Sequence, residues 1–550
     1  MSVLANLRAQ LSAAVVLLGC ACGGKGPTMG TVTQVLLEPS DAASSGSSGG
    51  MPTGRSSVTQ GAGPAGSGGA STSAGTSTVM RERMVAAGAG AGAQVAVGGA
   101  GTPSAGSDAV AAAGGGAGAS AAGAPAQMPQ VDPSAPLTPV AFFPSKERND
   151  TCADAAVSIQ FNRAPKIERG GKIQIVEASG AVFDSVTSNP DGELYYSGLV
   201  TRTSGGRSFR AEVLDVVYNT VVFHPKGKLD YGKTYYVTVD EGMITDELGT
   251  KFSVTQSDNW SFTVRGQAPV AASPYTLAAD GSGDFCSLEG LLAALPNTAT
   301  SPRMVSVGAG VYPGIVRMST SQVHFVGAGL DQSVFAHKNS ATMNSQSREG
   351  IVVTGSAVTF EDLTIFNTYL KDSNGQQAEA LYVAEGSSKV FLKNVHLRSH
   401  QDTLRVDGSA YMEGGKISGS TDPLWGYGAF YCDGCELSSR TSGHAFVVTR
   451  STKGFGLINC SVTKETDSVN NTYLAQYHDG SEPGKIAFAK CKIDAHIVGW
   501  RRAQGNAWYE YQNTALQTGE PLMFDGRQLT DGSPELDALS SVQSWLGWSP

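Results

Sequence analysis

The run Val395-His396-Leu397-Arg398-Ser399-His400-Gln401-Asp402-Thr403-Leu404 has a counterpart twenty residues on, Gly415-Lys416-Ile417-Ser418-Gly419-Ser420-Thr421-Asp422-Pro423-Leu424. Each opens on a strand-like triplet and runs to an aspartate. The triplets Leu363-Thr364-Ile365, Cys435-Glu436-Leu437, Cys460-Ser461-Val462 and Cys491-Lys492-Ile493 complete a series whose first positions are 32, 20, 20, 25 and 31 residues apart. One strand-rich unit every 20 to 50 residues or so is the mark of a stacked solenoid. The spacing therefore predicts an all-β stacked solenoid, and each unit would be one coil if the stack is a parallel β-helix. Residues one full coil apart in such a stack lie at the strand spacing of about 4.8 Å, which would make Asp402 and Asp422 neighbours.

Two carboxylates that close do not both ionise readily, so one is expected to hold a proton near neutral pH while the other stays anionic. That division suits an acid and a nucleophile. The plain alternative is a pair of ordinary turn residues, since aspartate is common where strands end.

Outward from this region the composition changes sharply. The chain has 550 residues, enough for two or three domains. Residues 1–20 read as a lipoprotein signal peptide: Arg8, an apolar stretch from Leu11 to Leu18 too short to span a bilayer, then Gly19-Cys20. Cys20 would become the lipidated N-terminal residue; a non-lipidated secretory signal or a mis-set start codon is the alternative. Residues 21–136 are dominated by Gly, Ala and Ser and lack the bulky apolar side chains needed to offset backbone ordering. They read as a disordered linker with a reach on the order of 60 Å.

Residues 137–266 alternate apolar and polar, as in Val157-Ser158-Ile159-Gln160-Phe161 and Tyr235-Tyr236-Val237-Thr238-Val239, between Gly, Pro and Asp turns. The pattern predicts a small antiparallel β-sandwich. Phe161-Asn162-Arg163-Ala164-Pro165 and Trp260-Ser261-Phe262 resemble bacterial Ig-like domains, and nothing there reads as catalytic; a spacer role is expected, with a weak glycan or wall contact as the alternative. Residues 272–550 hold the solenoid.

The net charge of −9 and the lack of Lys/Arg clusters argue against nucleic acid as a partner. Arg398, Arg405, Arg440 and Arg450 are the candidates for a local basic strip, with solvated surface arginines as the alternative. Cys432-Asp433-Gly434-Cys435 is a lone CxxC without a second pair or a histidine pair, so no metal is expected. Cys435, Cys460 and Cys491 hold equivalent repeat positions and read as an interior stack; disulfide pairing is open.

Three ordered segments, Gln377-Ala378-Glu379-Ala380-Leu381, Gln401-Asp402-Thr403-Leu404 and Asp422-Pro423-Leu424-Trp425-Gly426, resemble the signatures of the pectin methylesterase (pectinesterase) family, Gln-Ala-Val-Ala-Leu, Gln-Asp-Thr-Leu and Asp-Phe-Ile-Phe-Gly. Asp280 to Phe285, Gly308 to Tyr312 and Tyr509 to Thr514 look like its entry strand, first coil and closing segment. The resemblance implies a right-handed parallel β-helix and a cofactor-free esterase acting on pectin. It casts Asp422 as nucleophile, Asp402 as acid and base, and Gln377 and Gln401 as oxyanion donors. The family's Leu-Gly-Arg-Pro-Trp segment is matched by Leu474-Ala475-Gln476-Tyr477-His478, so its arginine is Gln476 here and its tryptophan is His478. Trp425, Gln476 and His478 are the expected substrate contacts, and Glu379 is a charge the family lacks, facing either solvent or the cleft.

Two further readings stay open: a weak or inactive polysaccharide-binding lipoprotein, and an esterase or thioesterase for another acyl group. A monomer, exported and lipid-anchored at the bacterial outer membrane or cell surface, is expected, with a secreted protein as the alternative.

Overall fold

The computed structural model describes residues 135–550 other than 169, 188–199, 271–272, 297–298, 300, 370–375, 477–483 and 502–506. The expected signal peptide with Cys20, nearly all of the linker, and His478 lie outside the described residues.

Among the described residues the C-terminal region coils into three parallel sheets: eleven strands from Tyr275–Leu277 to Arg527–Gln528, nine from Gly310–Pro313 to Thr514–Ala515, and seven from Val316–Met318 to Tyr473–Ala475. This is a parallel β-helix. The triplets of the sequence all fall in the nine-stranded sheet, where Thr364, His396, Lys416, Glu436, Ser461 and Lys492 follow one another in register. The residue just before each triplet turns the corner with a left-handed backbone: Asp362 (φ 53°), Asn394 (48°), Gly414 (61°), Gly434 (69°), Asn459 (54°) and Lys490 (54°). Gly, Asn and Asp enter that region at the least strain, and they fill five of these six corners. Their side chains tie coil to coil, with Asn394 Nδ2 donating to Asp362 Oδ1 at 2.6 Å and Asn459 Nδ2 to Asp433 Oδ1 at 2.8 Å.

Inside the coils, like side chains stack on like. Leu381, Leu404 and Leu424 are fully buried one above another, and Phe325 stacks on Phe360 with centroids 5.2 Å apart. Each such side chain contributes about 2 kcal/mol by leaving water. The outer face of the eleven-stranded sheet is covered by the short helices Pro534–Ala538 and Val542–Leu546 and the residues around them; there the Tyr431 hydroxyl donates to the Leu539 carbonyl at 2.8 Å, and Trp548 Nε1 to Ser409 Oγ at 2.7 Å.

The preceding region is a sandwich. A four-stranded sheet containing Val157–Phe161 and Thr220–Phe223 packs through Ile159, Phe161 and Phe223 onto Tyr235, Val237 and Phe262 of a seven-stranded sheet. It is not wholly antiparallel: Arg148–Thr151 runs parallel to Ser261–Val264, because Arg148–Thr151 enters the sheet at its edge rather than through a hairpin. The sandwich is joined to the first coil by a Cys152–Cys286 disulfide. Asp154 also accepts from the Ser287 amide at 2.8 Å, and Lys338 pairs with Glu212 at 2.8 Å. Of the expected cysteine stack, Cys460 and Cys491 are buried thiols, whereas Cys435 is bonded to Cys432.

Candidate active site

Asp402 and Asp422 occupy the corner that leads into the seven-stranded sheet, and both take a left-handed backbone, φ 61° and 47°. A bridge between Gln401 and Thr421, followed by the pairing of Leu404 with Leu424, sets them on adjacent coils. The Asp402 amide donates to the Thr421 carbonyl at 3.0 Å, and the Asp422 amide to that of Ala445 at 3.1 Å. The twenty-residue spacing is thus one turn of the coil. Gly426 closes the second segment at φ 143°, where a Cβ would drive into the Val406 carbonyl oxygen; only glycine lets that coil lie flat on the one below.

The two aspartates open onto a cleft of about 260 Å³ lined also by Gln377, Gln401 and Trp425, with Tyr427 and Arg450 at its rim. Gln476 Nε2 donates to Asp422 Oδ1 at 2.9 Å. Five of the six expected pocket residues that fall within the described chain, the exception being Gln476, line one cleft, and Gln476 touches it through Asp422. Of the arginines considered, Arg450 donates to the Tyr427 hydroxyl at 2.8 Å, while Arg398 lies over Phe366 and Arg440 bonds Glu465 at 3.0 Å. Arg398 and Arg440 therefore belong to other contacts.

Asp402 is almost fully buried. Burial pushes its carboxyl well above the usual aspartate range, with the nearby charges of Glu379 and Asp422 adding to the rise and Arg348 and Arg405 opposing it. A carboxyl of raised proton affinity one coil away from a second carboxyl is an arrangement that can pair a proton donor with a nucleophile.

Glu379 faces neither solvent nor the open cleft. It is fully buried, and Arg348 Nε donates to its Oε1 and Oε2 at 2.8 and 3.1 Å. The Arg348 guanidinium also lies 5.7 Å from the Trp425 ring centroid, and Arg405 lies 4.6 Å from the same ring and 4.2 Å from that of Tyr382. Trp425 is therefore held by two cations beneath the cleft. Sequence reasoning missed Arg348, which stands in no motif; continuing the coil register one turn upstream from Glu379 reaches Glu349, the residue next to it.

A second polar constellation has triad-like contacts: Ser439 Oγ lies 3.2 Å from His496 Nε2, and His496 Nδ1 lies 2.7 Å from Asp494 Oδ1. All three residues are buried, and burial lowers the affinity of His496 for a proton. With the hydroxyl enclosed, this is a brace between coils.

Residues 275–518 match the Pectinesterase family model, and residues 133–264 match that of a bacterial Ig-like domain. Pectinesterase A of Dickeya dadantii is 26% identical over 347 residues, covering 52% of this chain and 94% of the relative. Pectinesterase 31 of Arabidopsis thaliana is 24% identical over 263 residues, 42% of this chain and 80% of the relative. Among solved structures, pectin methylesterase PemA from Erwinia chrysanthemi aligns with a TM-score of 0.45 at 22% identity, over 51% of this chain and 99% of that one.

Proposed function

Taking residues 275–518 as a pectinesterase-family domain preceded by a bacterial Ig-like domain, we propose that the protein hydrolyses methyl esters of galacturonate units in pectin. The observation that carries this reading is the pair Asp402 and Asp422 on adjacent coils in one cleft with Gln377 and Gln401.

In the proposed reaction Asp422, as a carboxylate, attacks the C6 ester carbonyl. Gln377 and Gln401 donate to the oxyanion, where one such donor is worth about 3 kcal/mol. The intermediate collapses as Asp402 gives its proton to departing methanol, leaving an acyl anhydride on Asp422. Asp402, now anionic, takes a proton from water as that water attacks the acyl carbon, which frees Asp422 and the galacturonate carboxylate. The reversal of Asp402 from acid to base fits a buried group whose proton affinity is raised. Gln476 holds Asp422 in line by a neutral hydrogen bond, and Trp425 offers a flat apolar face to a sugar ring. The disulfides support an exported chain, anchored through Cys20 by its lipoprotein-like leader.

Methanol release from highly methylated pectin, beside Asp402→Ala and Asp422→Ala, tests the reading. Release by the wild type and loss in both variants supports it. Pectin binding without any release would leave a polysaccharide-binding protein in its place.

A further inference from the structure

Ile351, Leu381, Leu404 and Leu424 lie in register on four successive coils. Two residues before each stands an acid: Glu349, Glu379, Asp402 and Asp422. Amide bonds keep the corner in step, from Gly350 to the Glu379 carbonyl at 3.0 Å and from Ala380 to that of Thr403 at 2.9 Å. On the next coil the same rung is Ala445, paired through Val447 with Leu424, and the acidic ladder ends. The four rungs divide in two. The lower pair is engaged with arginines, Glu379 with Arg348 at 2.8 Å and Glu349 with Arg405 at 3.8 Å, while the upper pair lines the cleft.

Arg348 and Arg405 are the cations that reach Asp402. Left without counter-charges they would hold Asp402 as an anion and remove it as a proton donor. Arg405 is further occupied by Asp407, whose Oδ2 accepts from its Nη2 at 2.6 Å, and Asp407 in turn accepts from the Tyr382 hydroxyl at 2.9 Å. His337, which meets the Glu379 carbonyl, is buried, its proton affinity lowered to about 4 by burial, so it adds no charge near neutral pH.

We propose that Glu379, clasped by Arg348, is a positioning residue that keeps Asp402 in its protonated form without touching substrate. The inference rests on the esterase reading for its use and on the ladder for its physics. Burial pushes Glu379 itself up to about 7. As pH rises through that value Glu379 gains its charge and resists the ionisation of Asp402, so the acid stays loaded further into the alkaline range.

The test is the titration of Asp402 in the full chain carrying [4-13C]aspartate, its signal assigned by its loss in Asp402→Asn. In Glu379→Gln, which frees Arg348 to face Asp402, the titration is expected to move down by on the order of one pH unit or more, with the alkaline limb of methanol release moving the same way. In Arg348→Met/Glu379→Val, which removes both charges and keeps the volume apolar, a smaller downward move is expected, and this variant serves should the first not fold. An Asp402 titration unmoved in the folded variants overturns the inference. Because the signal is read without substrate, absence of methanol release by the wild type would sink the esterase reading alone.

Discussion

The solenoid turns two corners with left-handed residues, and it uses them in opposite ways. At the corner before the nine-stranded sheet, Asn394 bonds Asp362, Asn459 bonds Asp433, and these side chains mostly face solvent. At the corner before the seven-stranded sheet, Asp402 and Asp422 carry the same backbone but turn their carboxyl groups into a cleft, beside each other and above a buried Glu379. One corner satisfies its side chains; the other holds charges in proximity. The lesson is that a strained, left-handed aspartate becomes informative when its side chain is buried among like charges rather than when its backbone is unusual.

The sharpest way to break the contrast is truncation. Asp422→Ala and Asp402→Ala are expected to lower turnover about a thousandfold or more while leaving the fold intact, as read by methanol release and circular dichroism. Gln476→Ala removes the 2.9 Å bond to Asp422 and should reduce kcat on the order of tenfold to a hundredfold with little change in KM, the pattern of a lost positioning contact.

Stability sharpens it further. Asp402 has a folded proton affinity raised above its unfolded value, so its contribution is fully present below about pH 4 and is lost as pH climbs through the folded value. Asp402→Asn should therefore flatten the fall in Tm with rising pH and stand a few degrees above wild type at neutral pH. The mildest effect belongs to the other corner: Asn394→Ala should cost about 1 kcal/mol in denaturant unfolding, from a non-glycine residue without a polar side chain at φ 48°, and leave methanol release unchanged.

Much of this was legible in the sequence because a coil repeats in space what it repeats along the chain. The triplet spacings of 20, 25 and 31 residues are the lengths of successive turns, so the register that brings Asp402 to Asp422 could be counted. Glu379 was visible as an odd charge but not as a buried one, because its partner Arg348 lies 31 residues upstream in a segment with no pattern of its own. The cysteines show the same limit. Equivalent repeat positions identified Cys435, Cys460 and Cys491 as interior, yet the bond from Cys435 runs three residues back to Cys432, and Cys152 finds Cys286 across 134 residues. Repetition conveys height along the stack; it says nothing of a contact made once.

That single Cys152–Cys286 contact changes what a protease can accomplish. A cut anywhere between Val264 and Cys286 severs the chain linking sandwich to solenoid, yet the two halves remain one covalent object until the sulfur bridge is reduced. Shedding of the solenoid from whatever holds the N-terminal side then needs two chemistries acting together, hydrolysis and reduction, so digests resolved with and without reductant should differ in the size of the released piece.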